Sequence, residues 1–449
     1  MKYYSTNHQA PEADLRKAVV KGLAEDRGLY MPETIHRLPK AFFDDMPAMR
    51  FQDIAFNVAA AFFGDDVDLD GLQDLVYDTL QFDCPVVKVK DNIYSLELFH
   101  GPTLAFKDVG ARFMARLLQY FIKQTDTHGQ VNVLVATSGD TGSAVANGFL
   151  GVDGIHVYVL YPKGKVSPIQ ECQFTTLGQN ITAIEVDGVF DDCQRLVKSA
   201  FMDEELCQHM MLTSANSINV ARFLPQAFYY FNAVARLREK AKANSEPCAA
   251  APVICVPSGN FGNICAALFG HEMGLPVNRF IAANNANDVF YNYLQTGRYE
   301  PKASKQTLAN AMDVGDPSNF ARIIDLYSEG GRLSDVETHQ RITSLISGAT
   351  YSDEQIRETM RRCYAETGYV LDPHGACGYR ALEEQLQPGE IGIFCETAHP
   401  AKFKEKVDDI LGIDVAIPER LQAFMKGTKQ SVSMTKDFAD FKAFLLSEK

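Results

Sequence analysis

The sequence predicts an α/β protein with parallel sheets, preceded by a helical N-terminal domain. Three observations carry this. Short runs that are apolar along their whole length alternate with longer amphipathic stretches from about residue 90 onward. The first ninety residues instead show apolar spacing of helical period. And 449 residues with 46% hydrophobic and 22% charged side chains suit a globular chain of about three domains rather than a disordered one.

In order along the chain, LRKAVVKGLAEDRG (15–28), FQDIAFNVAAAFFG (51–64) and LDGLQDLVYDTL (69–80) are expected helices of a separate domain over 1–90, with a loop around Arg27–Pro39. QVNVLVATSG (130–139), GIHVYVLYP (154–162) and ITAIEVDG (181–188) follow as expected strands, then PVICVPSGN (252–260), RFIAANN (279–285) and IGIFCETAH (391–399). Helices are expected at 109–124, 189–206 and 218–242, and a surface loop at 241–252. The sheet region divides into a smaller unit over 91–250 and a larger one over 251–449, with the chain crossing between them.

Composition removes several classes. Forty-three basic against 57 acidic residues give a net charge of −14, so neither nucleic acid nor an anionic membrane is an expected partner. No apolar run reaches spanning length, and the N-terminus lacks a secretory h-region. Ten cysteines without a C-x-x-C pair point to reduced thiols and the cytoplasm. HEMGLP (271–276) starts like a zinc helix, but Leu275 stands where the second histidine belongs, so no metal is expected.

Two loops resemble each other. Ser138-Gly139-Asp140-Thr141-Gly142 and Ser258-Gly259-Asn260-Phe261-Gly262 each end a strand and open a helix. Unpaired amides and the helix dipole favour an anion at such a place, and glycine permits close backbone approach. Neither has the spacing of a dinucleotide or nucleotide phosphate loop. A third feature is Lys107, which lies between Leu104, Phe106 and Val109 at the start of a helix. Apolar surroundings and the positive helix end both disfavour its ammonium form, and a neutral amine is what Schiff-base chemistry requires.

The strings HGPTLAFKD, ATSGDTG, VPSGNFGN and ETAHPAKF, with YPKGKVSPIQ, TSANSIN and TLANAMDVGDPSN, resemble the threonine synthase family of fold type II pyridoxal-phosphate enzymes. The resemblance covers nearly the whole chain. It implies two parallel-sheet domains with pyridoxal 5'-phosphate between them. It implies that Lys107 forms the Schiff base and shuttles protons. Gly259, Asn260, Phe261, Gly262 and Asn263 would cradle the cofactor phosphate, and Thr397 would face the pyridine nitrogen. Thr137, Ser138, Gly139, Asp140 and Thr141 would receive the substrate's α-carboxylate. Lys163, Lys165, Ser214, Asn216, Ser217, Asn219 and Arg112 are the candidate donors to its phosphate. His374 and His399 are expected behind the site rather than in it.

The implied reaction converts O-phospho-L-homoserine and water to L-threonine and phosphate by γ-elimination and β-addition. A phospho-lyase, a hydroxy-amino-acid dehydratase or a non-catalytic cofactor-binding protein are the alternatives. The sequence leaves monomer and dimer open.

Overall fold

A computed structural model describes residues 1–124, 129–244 and 251–448. Most of the loop expected at 241–252 lies outside the described residues. The chain is mixed α/β, with three sheets among the described residues.

The smaller main sheet holds β5 (Val131–Ala136), β6 (Ile155–Pro162), β7 (Ile181–Val186), β8 (Met211–Ser214) and β13 (Val432–Met434), in the order β13-β7-β6-β5-β8. All its pairings are parallel. The larger holds β3 (Val86–Lys90), β4 (Ile93–Glu97), β9 (Val253–Pro257), β10 (Arg279–Asn284), β11 (Ile346–Thr350) and β12 (Gly392–Glu396), in the order β11-β10-β9-β12-β4-β3. It is parallel except where β3 meets β4. Every residue of β5, β9 and β12 is buried, which explains their unbroken apolar character.

The division at residue 250 does not match the sheets. The range 91–250 contains β4, which lies in the larger sheet, and 251–449 contains β13, which lies in the smaller. The chain therefore crosses between the sheets after β4, after β8 and after β12. β13 and the helix Phe438–Ser447 cover β7 and its neighbours, with Phe441 and Leu445 buried in that core.

The N-terminal region differs from expectation in two ways. It contains a two-stranded antiparallel sheet, β1 (Tyr3–Ser5) with β2 (Tyr30–Pro32). It also shares its core with the rest of the molecule, since Phe63 packs at a tilt against Phe113 with ring centroids 5.1 Å apart. The first helix stops at Lys21, not at Gly28, because Gly22 takes φ 73° and caps it. The helix expected over 189–206 breaks at extended Asp203, and that over 218–242 breaks around Pro225. No described helix is long and apolar enough to cross a membrane.

Candidate active site at the strand ends

The site forms where the carboxyl ends of β5, β9 and β12 open. Lys107 is the first residue of the helix Lys107–Lys123. Its loop is tied to the end of β12, because the Phe106 amide donates to the Thr397 carbonyl at 2.9 Å and Ala105 bridges Ala398. Behind it, Asp108 accepts from the Thr103 amide at 2.9 Å and from the Thr103 hydroxyl at 2.6 Å, which fixes the turn before the helix. Arg222 is buried and donates to the carbonyls of Ala215 (2.6 Å) and Lys107 (3.3 Å).

The side chain of Lys107 keeps partial contact with solvent, but burial is the largest influence on its amine. Burial lowers it to about 8, Asp140 pulls it up, and Arg222 and Lys402 push it down. Amine-specific labelling of Lys107 in the apoprotein should therefore show a midpoint near pH 8 rather than 10.5. A midpoint above 10 in mass-spectrometric analysis of the labelled peptide contradicts this.

The loop after β9 has the features of an anion cradle. The backbone amides of Gly259, Asn260, Phe261, Gly262 and Asn263 have no acceptor among the described residues. They precede and open the helix Gly262–Glu272. Phe261 is held at φ 63°, a left-handed conformation that a large side chain rarely adopts. Its ring rests on Phe290, with centroids 4.5 Å apart. Gly259 is needed for packing: a Cβ there would lie 2.7 Å from the Met312 backbone. The side chains of Asn260 and Asn263 brace the loop. Asn260 donates to the Ser217 hydroxyl (2.8 Å) and accepts from the Ser318 amide (2.7 Å), while Asn263 donates to the Pro257 carbonyl (2.8 Å).

The loop after β5 is built differently. The Thr137 hydroxyl accepts from the amides of Gly139 (2.9 Å) and Gly142 (2.7 Å), so it supports the loop from within. Only the amides of Ser138, Asp140 and Thr141 are left without an acceptor among the described residues. Gly139 sits at φ 142° with the Gln170 amide group 2.6 Å from where a Cβ would be, so only glycine fits. Asp140 is buried and paired with Lys402 at 2.7 Å. Burial alone would raise its carboxyl, but Lys402 and Lys107 hold it well below the usual carboxylate range.

TSANSIN joins the two loops. Asn216 donates to the Ala136 carbonyl at 3.3 Å, and the Ser217 hydroxyl accepts from Asn260. Ser214 lies beside Asn216, its hydroxyl donating to the Asn216 side chain at 3.3 Å.

Two expected substrate contacts belong elsewhere. Arg112 donates to the carbonyls of Thr79 (3.0 Å) and Asp78 (2.7 Å), so it caps the C-terminus of the helix Leu69–Thr79. Asn219 is fully buried, donates to the carbonyls of Val19 (2.8 Å) and Ser214 (3.2 Å), and accepts from the Ala221 amide (3.0 Å). It pins the first helix and has nothing left for a ligand. Arg112→Gln should accordingly cost about 1–2 kcal/mol of stability while the KM for substrate stays within about twofold. A tenfold rise in KM would return Arg112 to the site.

Lys163 and Lys165 are exposed on the rim and carry no ion pair among the described residues. His374 accepts from the Ala311 amide at 3.1 Å and donates to Asp372 at 2.6 Å, bracing the turn that packs on Gly259. His399 accepts from the Ala401 amide at 3.1 Å, and burial lowers its imidazole to about 4. Lys402 and Arg222 went unassigned by sequence. Lys402 lies inside ETAHPAKF, so its position was visible although its burial was not.

The residues fit a phosphorylated aldehyde cofactor. Five free amides suit the phosphate, a depressed amine suits the aldehyde, and the Thr397 hydroxyl at the end of β12 has no partner among the described residues.

Comparison with known proteins agrees with this chemistry. The pyridoxal-phosphate dependent enzyme family matches residues 83–393, flanked by "threonine synthase N terminus" at 2–80 and "threonine synthase, C-terminal" at 375–445. The chain is 43% identical to threonine synthase of Haemophilus influenzae over 446 residues, covering 99% of this chain and 100% of that protein. The crystal structure of threonine synthase from Escherichia coli matches with a TM-score of 0.91 at 41% identity, covering 100% of both chains. PLP-bound threonine synthase from Brucella melitensis matches with a TM-score of 0.90 at 32% identity, over 99% of this chain and 98% of that one. With its site built this way and its whole length matched, the chain belongs to the threonine synthase family of pyridoxal-phosphate-dependent enzymes.

Proposed function

We propose that this site converts O-phospho-L-homoserine and water to L-threonine and inorganic phosphate, using pyridoxal 5'-phosphate. The observation that carries the reading is the depressed Lys107 amine, on a loop tied to the end of β12, together with a cradle of free amides after the neighbouring strand β9, in a chain matched by this family from end to end. When bound, the cofactor supplies an electron sink for charge developing at the substrate's α-carbon.

The residues supply position and proton transfer. Lys107 would hold the cofactor covalently. Its neutral amine would act as base for the substrate's α-proton and return protons later. The amides of Gly259 to Asn263 would hold the cofactor phosphate, and Thr397 would offer the pyridine nitrogen a hydroxyl rather than a carboxylate. The amides of Ser138, Asp140 and Thr141 take the substrate carboxylate. Ser214 and Asn216 on TSANSIN, with Lys163 and Lys165 on the rim, are the remaining candidates for the departing phosphate. Closure of the smaller sheet's loops over the substrate would exclude water until the addition step. We place the reaction in the cytoplasm, where the nine described cysteines, all free, would stay reduced.

Purified protein loaded with pyridoxal phosphate should release threonine and phosphate from phosphohomoserine in equal amounts. Release of 2-oxobutanoate, or of phosphate without threonine, would replace this reading with a dehydratase or a phospho-lyase.

A further inference from the structure

Lys402 lies on the 3-10 turn Pro400–Phe403, just beyond β12, and its side chain is 0% exposed. Its ammonium group donates to the Thr103 carbonyl at 2.9 Å and pairs with Asp140 at 2.7 Å. These contacts join three segments: the end of the larger sheet, the loop that presents Lys107, and the first turn of the helix Asp140–Phe149 in the smaller sheet's unit. The joint is reinforced around its edge. Gln170 donates to Asp140 at 2.9 Å, Gln173 donates to the Thr103 carbonyl at 3.1 Å, and Ser167 donates to the Gln170 side chain at 3.0 Å. Burying two charges is costly unless each is paired and its remaining bonds are satisfied. Here each charge is paired with the other and holds one further hydrogen bond, Lys402 to the Thr103 carbonyl and Asp140 from Gln170, and the pair spans the cleft rather than sitting within one sheet.

We infer that Lys402, through its buried ion pair with Asp140, is a positioning residue that docks the Ser138–Thr141 loop across the cleft and sets the charge facing the Lys107 amine. The link to catalysis rests on the function proposed above, while the docking does not. The charged groups acting on that amine are Asp140, which favours its protonated form, and Lys402 and Arg222, which disfavour it. The signs follow. Lys402→Met removes a cation and leaves Asp140 unopposed, so Lys107 holds its proton more tightly. Asp140→Asn removes the anion and leaves Lys402, so Lys107 releases its proton more readily. The double variant removes one charge of each sign.

The test uses apoprotein, so it is independent of turnover. Lys107 labelling is followed against pH by mass spectrometry, with exposed Lys163 as internal reference, and melting is recorded alongside. Relative to wild type, Lys402→Met should raise the Lys107 midpoint and Asp140→Asn should lower it, each by about one pH unit. The double variant should return close to wild type, and Lys402→Arg should stay there. Both single variants should melt about 5 °C or more below wild type, and the double variant above either. A Lys402→Met protein that does not fold, beside a double variant that does, supports the same clasp. Midpoints that do not separate in opposite directions overturn the charge-setting role. A double variant no more stable than Lys402→Met overturns the ion pair as the reason for Lys402. Failure of wild type to make threonine instead defeats the proposed function and leaves these apoprotein results standing.

Discussion

Lys107→Ala should abolish threonine formation, by at least about a thousandfold, while the protein still folds. The side chain is joined to its surroundings weakly: its amine makes no hydrogen bond among the described residues and lies 5.6 Å from the Phe106 ring centroid. Its helix is anchored by other groups, through Asp108, Thr103 and the Phe106 amide. On the proposed function, loss of the amine would therefore remove covalent attachment of the cofactor and the α-proton base together, without breaking the scaffold.

The pH dependence of stability gives an internal check. An amine lowered to about 8 in the folded state, against 10.5 when exposed, destabilises the folded protein at neutral pH, where both states carry the proton. That penalty fades as pH rises from 8 towards 10.5. At pH 7 the alanine variant should thus melt no lower than wild type, and the wild type should gain relative to it through that window. Turnover retained above one tenth of wild type would remove Lys107 from the centre of the chemistry.

The second large effect is expected at a buried arginine behind the phosphate cradle. Arg322→Ala should destabilise the protein by about 3–5 kcal/mol and weaken pyridoxal phosphate binding. Arg322 sits in the helix Phe320–Tyr327 and is fully buried, with its guanidinium 4.0 Å from the Phe223 ring centroid. It donates to the carbonyls of Tyr30 (3.0 Å), Ser217 (3.2 Å) and Ile218 (2.6 Å) and to the Asn319 side chain (2.6 Å). Burial lowers it to about 9.

Alanine would leave those acceptors buried and unmatched. It would also free Asn319, whose amide group donates to the Asn260 carbonyl at 3.0 Å and so steadies the phosphate cradle. Lysine at this position cannot reproduce the forked geometry, so Arg322→Lys should recover only part of the loss. Thermal melting and cofactor titration together check this. A variant that melts with wild type would show that the buried carbonyls find other donors.

What could be read from sequence follows from what burial does to composition. The strands β5, β6, β9 and β12 were legible because complete or nearly complete burial demands runs of apolar residues. The short or half-exposed strands β3, β4 and β13 carry no such signature, and β13 has only three residues. The anion cradles were legible as glycine-bearing turns after strands. The role of Gly259 was not, since the backbone it packs against lies some fifty positions away.

Arg112 misled for a periodic reason. Five residues beyond Lys107 on a helix is a rotation of about 140°, which turns it from the cleft towards the helix Leu69–Thr79. Lys402 and Arg322 were hidden because a basic side chain gives no sequence sign of being buried. Only the assembled fold supplies the Asp140 carboxylate or the ring of carbonyls that makes such burial tolerable.

The place of β13 bears on how the molecule is made. It supplies the outer strand beside β7, yet it is encoded about 250 residues later. During synthesis, β7 keeps one flank bare until the β13 segment has emerged. That segment thus serves as a late-arriving guard against cross-pairing between nascent chains, and its loss would threaten yield before it touched chemistry.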